Sequence, residues 1–238
     1  MVCIVIVALT IAAAYVFEKI LRKHTRGKIL QGENTIGREE RILNTREIVM
    51  IGMFSAISGI LYCFDFALPI APAFYKLDFS ELPALIAGFA FGPVAGVMVE
   101  FIKVIIKLVI KSTSTAFVGD LANYLIGCML VLPASIIYQY RKSKKQAVIG
   151  CVAGTLCMTI FGTAFNALYL LPAFASLYGM PLDVIIEMGT AINGSVSGIW
   201  SFVALMVAPI NIIKGIMDSA ITVLIYKKLS PIIKGSIK

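Results

Sequence analysis

Histidine is almost missing from this sequence: His24 stands alone among 238 residues. Imidazole-ligated metal centres need several such side chains in register, so this class of site is set aside. The five cysteines (Cys3, Cys63, Cys128, Cys151, Cys157) are odd in number, form no CxxC pair and lie mostly within apolar runs. That pattern argues against a disulfide framework or structural zinc and for small, helix-packing thiols. There is no G-x-x-x-x-G-K loop, no G-x-G-x-x-G after a strand and no H-E-x-x-H. If ATP is used, another chain must hydrolyse it. Charge is scarce too, at 14% of residues, where a soluble domain carries about a quarter.

What fills the sequence instead is apolar: 59% hydrophobic residues and a mean hydropathy of +0.93. A buried core cannot hide that much apolar surface, so lipid covers the rest. A membrane helix takes ~20 apolar residues, which allows six or seven spans and no large soluble domain. The net charge of +8 collects between the apolar runs, not on one amphipathic face. It reads as an orientation signal and not as a nucleic-acid surface.

The first apolar run, 2–17, precedes its basic residues, Lys19, Arg22, Lys23, Arg26 and Lys28. A signal peptide carries its charge in front. The reading is a signal-anchor helix with its N-terminus outside; cleavage near Ala12-Ala13-Ala14 is the alternative. A polar cytoplasmic linker, 18–46, with the cluster Arg38-Glu39-Glu40-Arg41, follows. Further spans are expected at 47–66, 82–91, 94–110, 116–138, 147–171 and 202–226. Residues 173–201 read as a Gly/Ser-rich outer connection with some helix. The basic residues of 18–46, 139–146 and the C-terminal tail then face the cytoplasm, leaving mainly Lys76 and Lys111 outside.

Ionisable groups inside such spans are costly and are functional candidates by default. Glu100, Lys103 and Lys107 share one helical face at i, i+3 and i+7. Glu100 pairs with Lys103 and Lys107 reaches the outer interface in one reading; a substrate or coupling role is the other. Asn211, Lys214 and Asp218 repeat the spacing, with a Lys214–Asp218 pair expected and Lys214 at a depth suited to a pocket floor. Asn123 and Asn166 place amides in two further spans, as interhelical glue or as ligand contacts. The segment Phe74-Tyr75-Lys76-Leu77-Asp78-Phe79-Ser80-Glu81-Leu82-Pro83 is either an interfacial aromatic belt or a lid over a flat, partly polar ligand. Gly52 and Ala56, with Gly59 a turn further on, offer a small surface for close helix approach.

Several segments together resemble the S components of energy-coupling factor (ECF) transporters, specifically the riboflavin-binding type. They are KLDFSELPALIAGFAFGPVAGVMVEFIK (76–103), VGDLANYLIG (118–127), VLPASIIY (131–138), FNALYLLP (165–172) and APINIIKGIMDSAITVLIYKKLSP (208–231). The resemblance implies an all-α, polytopic membrane bundle. Its six-helix substrate-binding domain is 46–238, and the N-terminal helix and linker, 1–45, are extra. It implies a vitamin carrier with no catalysis and no cofactor. Riboflavin would be the transported ligand, and an EcfT-type membrane subunit and two cytoplasmic ECF ATPases the partners. Asn166 and Lys214 would contact the flavin's polar edge, with Asn123, Lys76, Leu77, Asp78 and Phe79 around it. Gly52 and Ala56 fall on the family's A-x-x-x-A partner motif. Val104 stands where relatives often carry Asn. A phosphate on the ligand would find Lys76 or Lys111 at the pocket mouth. An S component for another small vitamin is the nearest alternative. A membrane-embedded enzyme using Glu100 and Asp120 as acid and base is a more distant one.

Overall fold

The computed structural model describes residues 2–29, 45–113 and 115–234, with side chains for 7–20, 45–113 and 115–226. The cluster Arg38–Arg41 and most of the expected linker lie outside the described residues. Ten α-helices are described: α1 (Val2–Ile29), α2 (Thr45–Cys63), α3 (Glu81–Phe91), α4 (Pro93–Ile110), α5 (Val118–Tyr140), α6 (Lys144–Phe165), α7 (Leu171–Tyr178), α8 (Leu182–Ile192), α9 (Ile199–Phe202) and α10 (Ala208–Lys234). The protein is thus an all-α bundle. Thr45–Cys63, Val118–Tyr140, Lys144–Tyr178 and Ile199–Tyr226 are each long and apolar enough to cross a membrane. α5 packs on α6, α2 on α4, and α10 on both α6 and α3, while α1 lies against α4 and α5.

Three boundaries differ from the sequence expectation. α1 runs on to Ile29 through the basic stretch expected as linker, because Lys and Arg are good helix formers and only Gly27 interrupts them. α2 stops at Cys63, and a small hairpin follows in which Phe66–Ala67 pairs antiparallel with Lys76–Leu77. The sixth span does not end at Leu171. Its helix passes through a π-turn, Asn166–Leu170, and continues to Tyr178 despite Pro172. A second π-turn, Val203–Val207, precedes Pro209 in the last span. A proline ring collides with the carbonyl four residues back. In both places that carbonyl (Leu168, Leu205) lies inside the wider turn, which carries the helix past the obstacle.

α3 has 11 residues, about 16 Å of helix, roughly half the bilayer's apolar thickness. The loop before it completes the depth: Asp78 is 4% exposed and Ser80 fully buried. Non-helical backbone survives at membrane depth only when protein encloses it, as here. α3 turns into α4 at Gly92, whose φ of +113° suits glycine alone. Pro93 has no N–H, so the Phe89 carbonyl lacks its helical donor. Gln139 Nε2 at 2.9 Å and the Tyr226 hydroxyl at 3.2 Å donate to it instead. These contacts tie α3, α5 and α10 together beneath an aromatic cluster of Phe89, Tyr138 and Tyr226.

The apolar core has three parts. One surrounds Phe89, Leu130 and Met158. Another packs Ala14 of α1 with Val97, Tyr124 and Cys128. The third gathers Leu77, Phe174, Ile185, Phe202 and Met206 beneath the 173–201 segment. That segment is therefore packed and not a free connection: Ile185 on α8 is 1% exposed, and Gly189 lies against Phe202.

The candidate ligand cavity

Beside this apolar core lies a band of buried charge. Lys103, with no exposed surface, contacts Glu100 at 2.7 Å and Glu81 at 3.0 Å and donates to the Ser80 hydroxyl at 2.8 Å. Lys214 contacts Asp78 at 2.9 Å and Glu81 at 2.8 Å. Glu81, at the first turn of α3, thus bridges two lysines from α4 and α10. The expected Lys214–Asp218 pair does not form. The ammonium reaches across to α3 and its loop, and neither Asp218 carboxylate oxygen has a hydrogen-bond partner among the described residues. Lys107 pairs with Asp120 on α5 at 2.5 Å and does not extend to an outer interface.

Above this band opens a cavity of about 230 Å³. Its walls are Phe74, Tyr75, Phe174 and Tyr178 with Ile126, Met158, Leu170, Val207 and Ile210. Its polar lining includes Tyr62, Lys107, Asp120, Asn123, Asn166, Asn211 and Lys214. Of the residues singled out from sequence, Lys76, Asp78, Asn123, Asn166 and Lys214 meet here. Leu77 and Phe79 do not line the cavity: Leu77 is 3% exposed in the outer core, and Phe79 lies 6.2 Å from Phe66. Glu81, Tyr75 and Asn211 complete the site. Asn211 carried a visible signal, an amide at membrane depth, but Glu81 and Tyr75 become site residues only when the loop folds inward.

Hydrogen-bond capacity distinguishes the polar groups. Asn166 begins the first π-turn; its Oδ1 accepts from the Tyr75 hydroxyl at 2.7 Å and its Nδ2 donates to the Gly162 carbonyl at 2.7 Å. The amide oxygen still has a second lone pair. Lys214 has three donors and two close carboxylates, leaving one donor for a ligand. Asn211 Nδ2 is buried with no acceptor among the described residues. At the cavity rim Asp65 accepts from Lys76 at 3.1 Å and Lys111 at 2.9 Å. Burial pushes the Asp65 carboxyl up, but those two ammonium groups outweigh it and hold it below its ordinary value. Glu100 does not line the cavity that Asp120 lines, so the two carboxyls do not face a common substrate space.

Gly52 and Ala56 lie far from this chemistry, exposed on α2, and a side chain built on Gly52 would meet nothing within 4 Å. Gly59 differs, because a Cβ there would come within 2.6 Å of Ile106 on α4. α4 therefore covers one end of the small-residue surface and leaves the other open.

Known proteins share this architecture. A solved structure of the S component of a bacterial ECF transporter superposes with a TM-score of 0.63 at 33% identity, covering 79% of this chain and 98% of that one. The riboflavin transporter FmnP of Bacillus subtilis (strain 168) is 32% identical over 190 residues, 79% of this chain and 94% of its own. The riboflavin transporter RibU of Staphylococcus aureus (strain TCH60) is 33% identical over 197 residues, 83% of this chain and 97% of its own. A family model described as the ECF transporter, substrate-specific component, matches residues 46–226. The chain belongs to that family: it is a multi-pass membrane protein and a transport component, not an enzyme.

Proposed function

We propose that this chain binds riboflavin from outside the cell and hands it inward. Its partners in this reading are an EcfT-type membrane subunit and two cytoplasmic ATPases. The observation that carries this is the donor set on one side of an aromatic-walled cavity: Lys214's third donor and the free Asn211 Nδ2, with the Asn166 oxygen beside them. The isoalloxazine offers C=O groups and one N–H along its pyrimidine edge and an apolar dimethylbenzene at the other end. Lys214 and Asn211 suit the carbonyls and the Asn166 oxygen suits the N–H, while Phe74, Phe174 and their neighbours enclose the rings.

The likeness to two riboflavin transporters over most of their length supports the same ligand. The substrate-binding domain is 46–238 in this reading, with α1 and its linker outside it, and the family match begins at residue 46. The N-terminus lies outside and the C-terminus in the cytoplasm. This orientation agrees with the apolar run of α1, 2–17, ending beside the Gly92–Pro93 turn, since Glu18 Oε2 accepts from the Val94 N–H at 3.0 Å. Gly52 and Ala56 form the surface offered to the membrane partner.

Fluorescence-quenching titration of the purified chain with riboflavin tests the site. Asn166→Ala is expected to weaken binding by roughly 1–3 kcal/mol, the cost of an unpaired buried polar group. Unchanged affinity in both Asn166→Ala and Lys214→Ala would remove the site assignment.

A further inference from the structure

Four buried carboxyls, Asp78, Glu81, Glu100 and Asp218, share the interior with two buried lysines, Lys103 and Lys214. Acceptors outnumber ammonium groups, and the carboxyl left over is Asp218. It has no exposed surface, and neither of its oxygens has a hydrogen-bond partner among the described residues. Such a group is costly to leave unpaired inside a protein, and its presence calls for a use. Asp218 does not line the ligand cavity. It stands four residues beyond Lys214 on the continuous helix α10, one turn along the same face.

Lys214 is held by two groups of different kind. Glu81 belongs to α3, whereas Asp78 comes from the non-helical loop before it. Asp78 uses its oxygens separately: Oδ1 accepts from the Ser80 N–H at 2.8 Å and Oδ2 from Lys214 at 2.9 Å. The full pairing of the lysine therefore lasts only while that loop is folded inward. A long side chain with one carboxylate across the cavity floor and another along its own helix has two discrete arrangements, the kind of element on which a site can switch.

We propose that Asp218 is a second station for Lys214. When the loop carrying Asp78 moves off, the ammonium swings one turn along α10 to Asp218. Its third donor then leaves the cavity and the ligand is held less tightly. This rests on the flavin reading and adds to it a residue that acts on release without touching the ligand.

Two isosteric substitutions test it in the full chain, with riboflavin as the probe. Asp218→Asn leaves the cavity lining untouched but removes the second charge, and should slow riboflavin dissociation severalfold. Asp78→Asn keeps the acceptor for the Ser80 N–H and turns an amide N–H towards Lys214 in place of Oδ2. The lysine then moves to Asp218, and riboflavin affinity should fall roughly tenfold. Adding Asp218→Asn to Asp78→Asn should restore most of that affinity, because the alternative partner is gone. An unchanged dissociation rate in Asp218→Asn, or a double variant that binds no more tightly than Asp78→Asn, would overturn the second station while leaving the flavin reading intact. If the unaltered chain binds no riboflavin, the flavin reading falls, and thermal unfolding of the same variants decides the station. Asp78→Asn should then cost more stability with Asn at 218 than with Asp, and additive losses would overturn it.

Discussion

Lys214 shows what a single residue adds once its surroundings are known. Its place on a span, with Asn211 and Asp218 at matching intervals, marked it as interior and as a candidate for the pocket floor. Its true partners, Asp78 and Glu81, were not legible, because they lie 136 and 133 residues away and reach it only through an inward-folded loop. Lys214→Ala therefore removes more than a ligand contact. It strips the counter-charge from two carboxylates that are 3% and 1% exposed. Breaking a buried pair in this way costs about 3–5 kcal/mol of stability. Thermal unfolding in detergent without flavin should show a clear loss for Lys214→Ala and a smaller one for Asn166→Ala. Equal stability of the two variants would mean that the ion pair contributes nothing to the fold.

At the scale of elements, helix identity was readable where apolar length decided it, as in α2, α5 and α6. Boundaries were misjudged where a local rule met a tertiary solution. Pro172 signalled a helix end and Pro209 stood inside an expected span; π-turns carry the chain past both, and one of those turns begins at Asn166. α1 is the element whose packing was least legible. Ala14 is fully buried, the Thr10 hydroxyl meets the Tyr124 hydroxyl at 2.5 Å, and Glu18 caps the start of α4. A carboxylate at a helix N-terminus satisfies open N–H groups and faces the positive end of the dipole. Glu18→Ala should lower stability by about 1 kcal/mol. Deletion of residues 1–44 should leave riboflavin affinity intact, because no described α1 side chain lines the ligand cavity. A folded deletion variant that has lost flavin binding would show that α1 shapes the cavity after all.

For the whole molecule, the proposed binding cavity and the proposed partner surface lie apart. The cavity opens among α3, α5, α6, α7, α10 and the hairpin, with Tyr62 from the end of α2 and Lys107 from α4, while Gly52 and Ala56 lie exposed further back along α2. Close van der Waals contact is the main attraction between helices in lipid, and a large side chain on that surface forfeits it. Gly52→Trp or Ala56→Trp should abolish cellular uptake and co-purification with the membrane partner. Flavin affinity should stay within about 1 kcal/mol, as for distant independent sites. Normal transport by these variants would place the partner surface elsewhere.

The central claim is that the cavity beneath the hairpin holds a flavin without help from any other chain. Absorbance of the protein, purified alone after expression with riboflavin and without ATP, tests it most directly. The account expects a yellow protein absorbing near ~450 nm, a property of the ligand's ring system that apolar packing cannot imitate. The colour should be lost from the Asn166→Ala, Lys214→Ala double variant. A colourless, folded, unaltered chain that also fails to quench added riboflavin would contradict it.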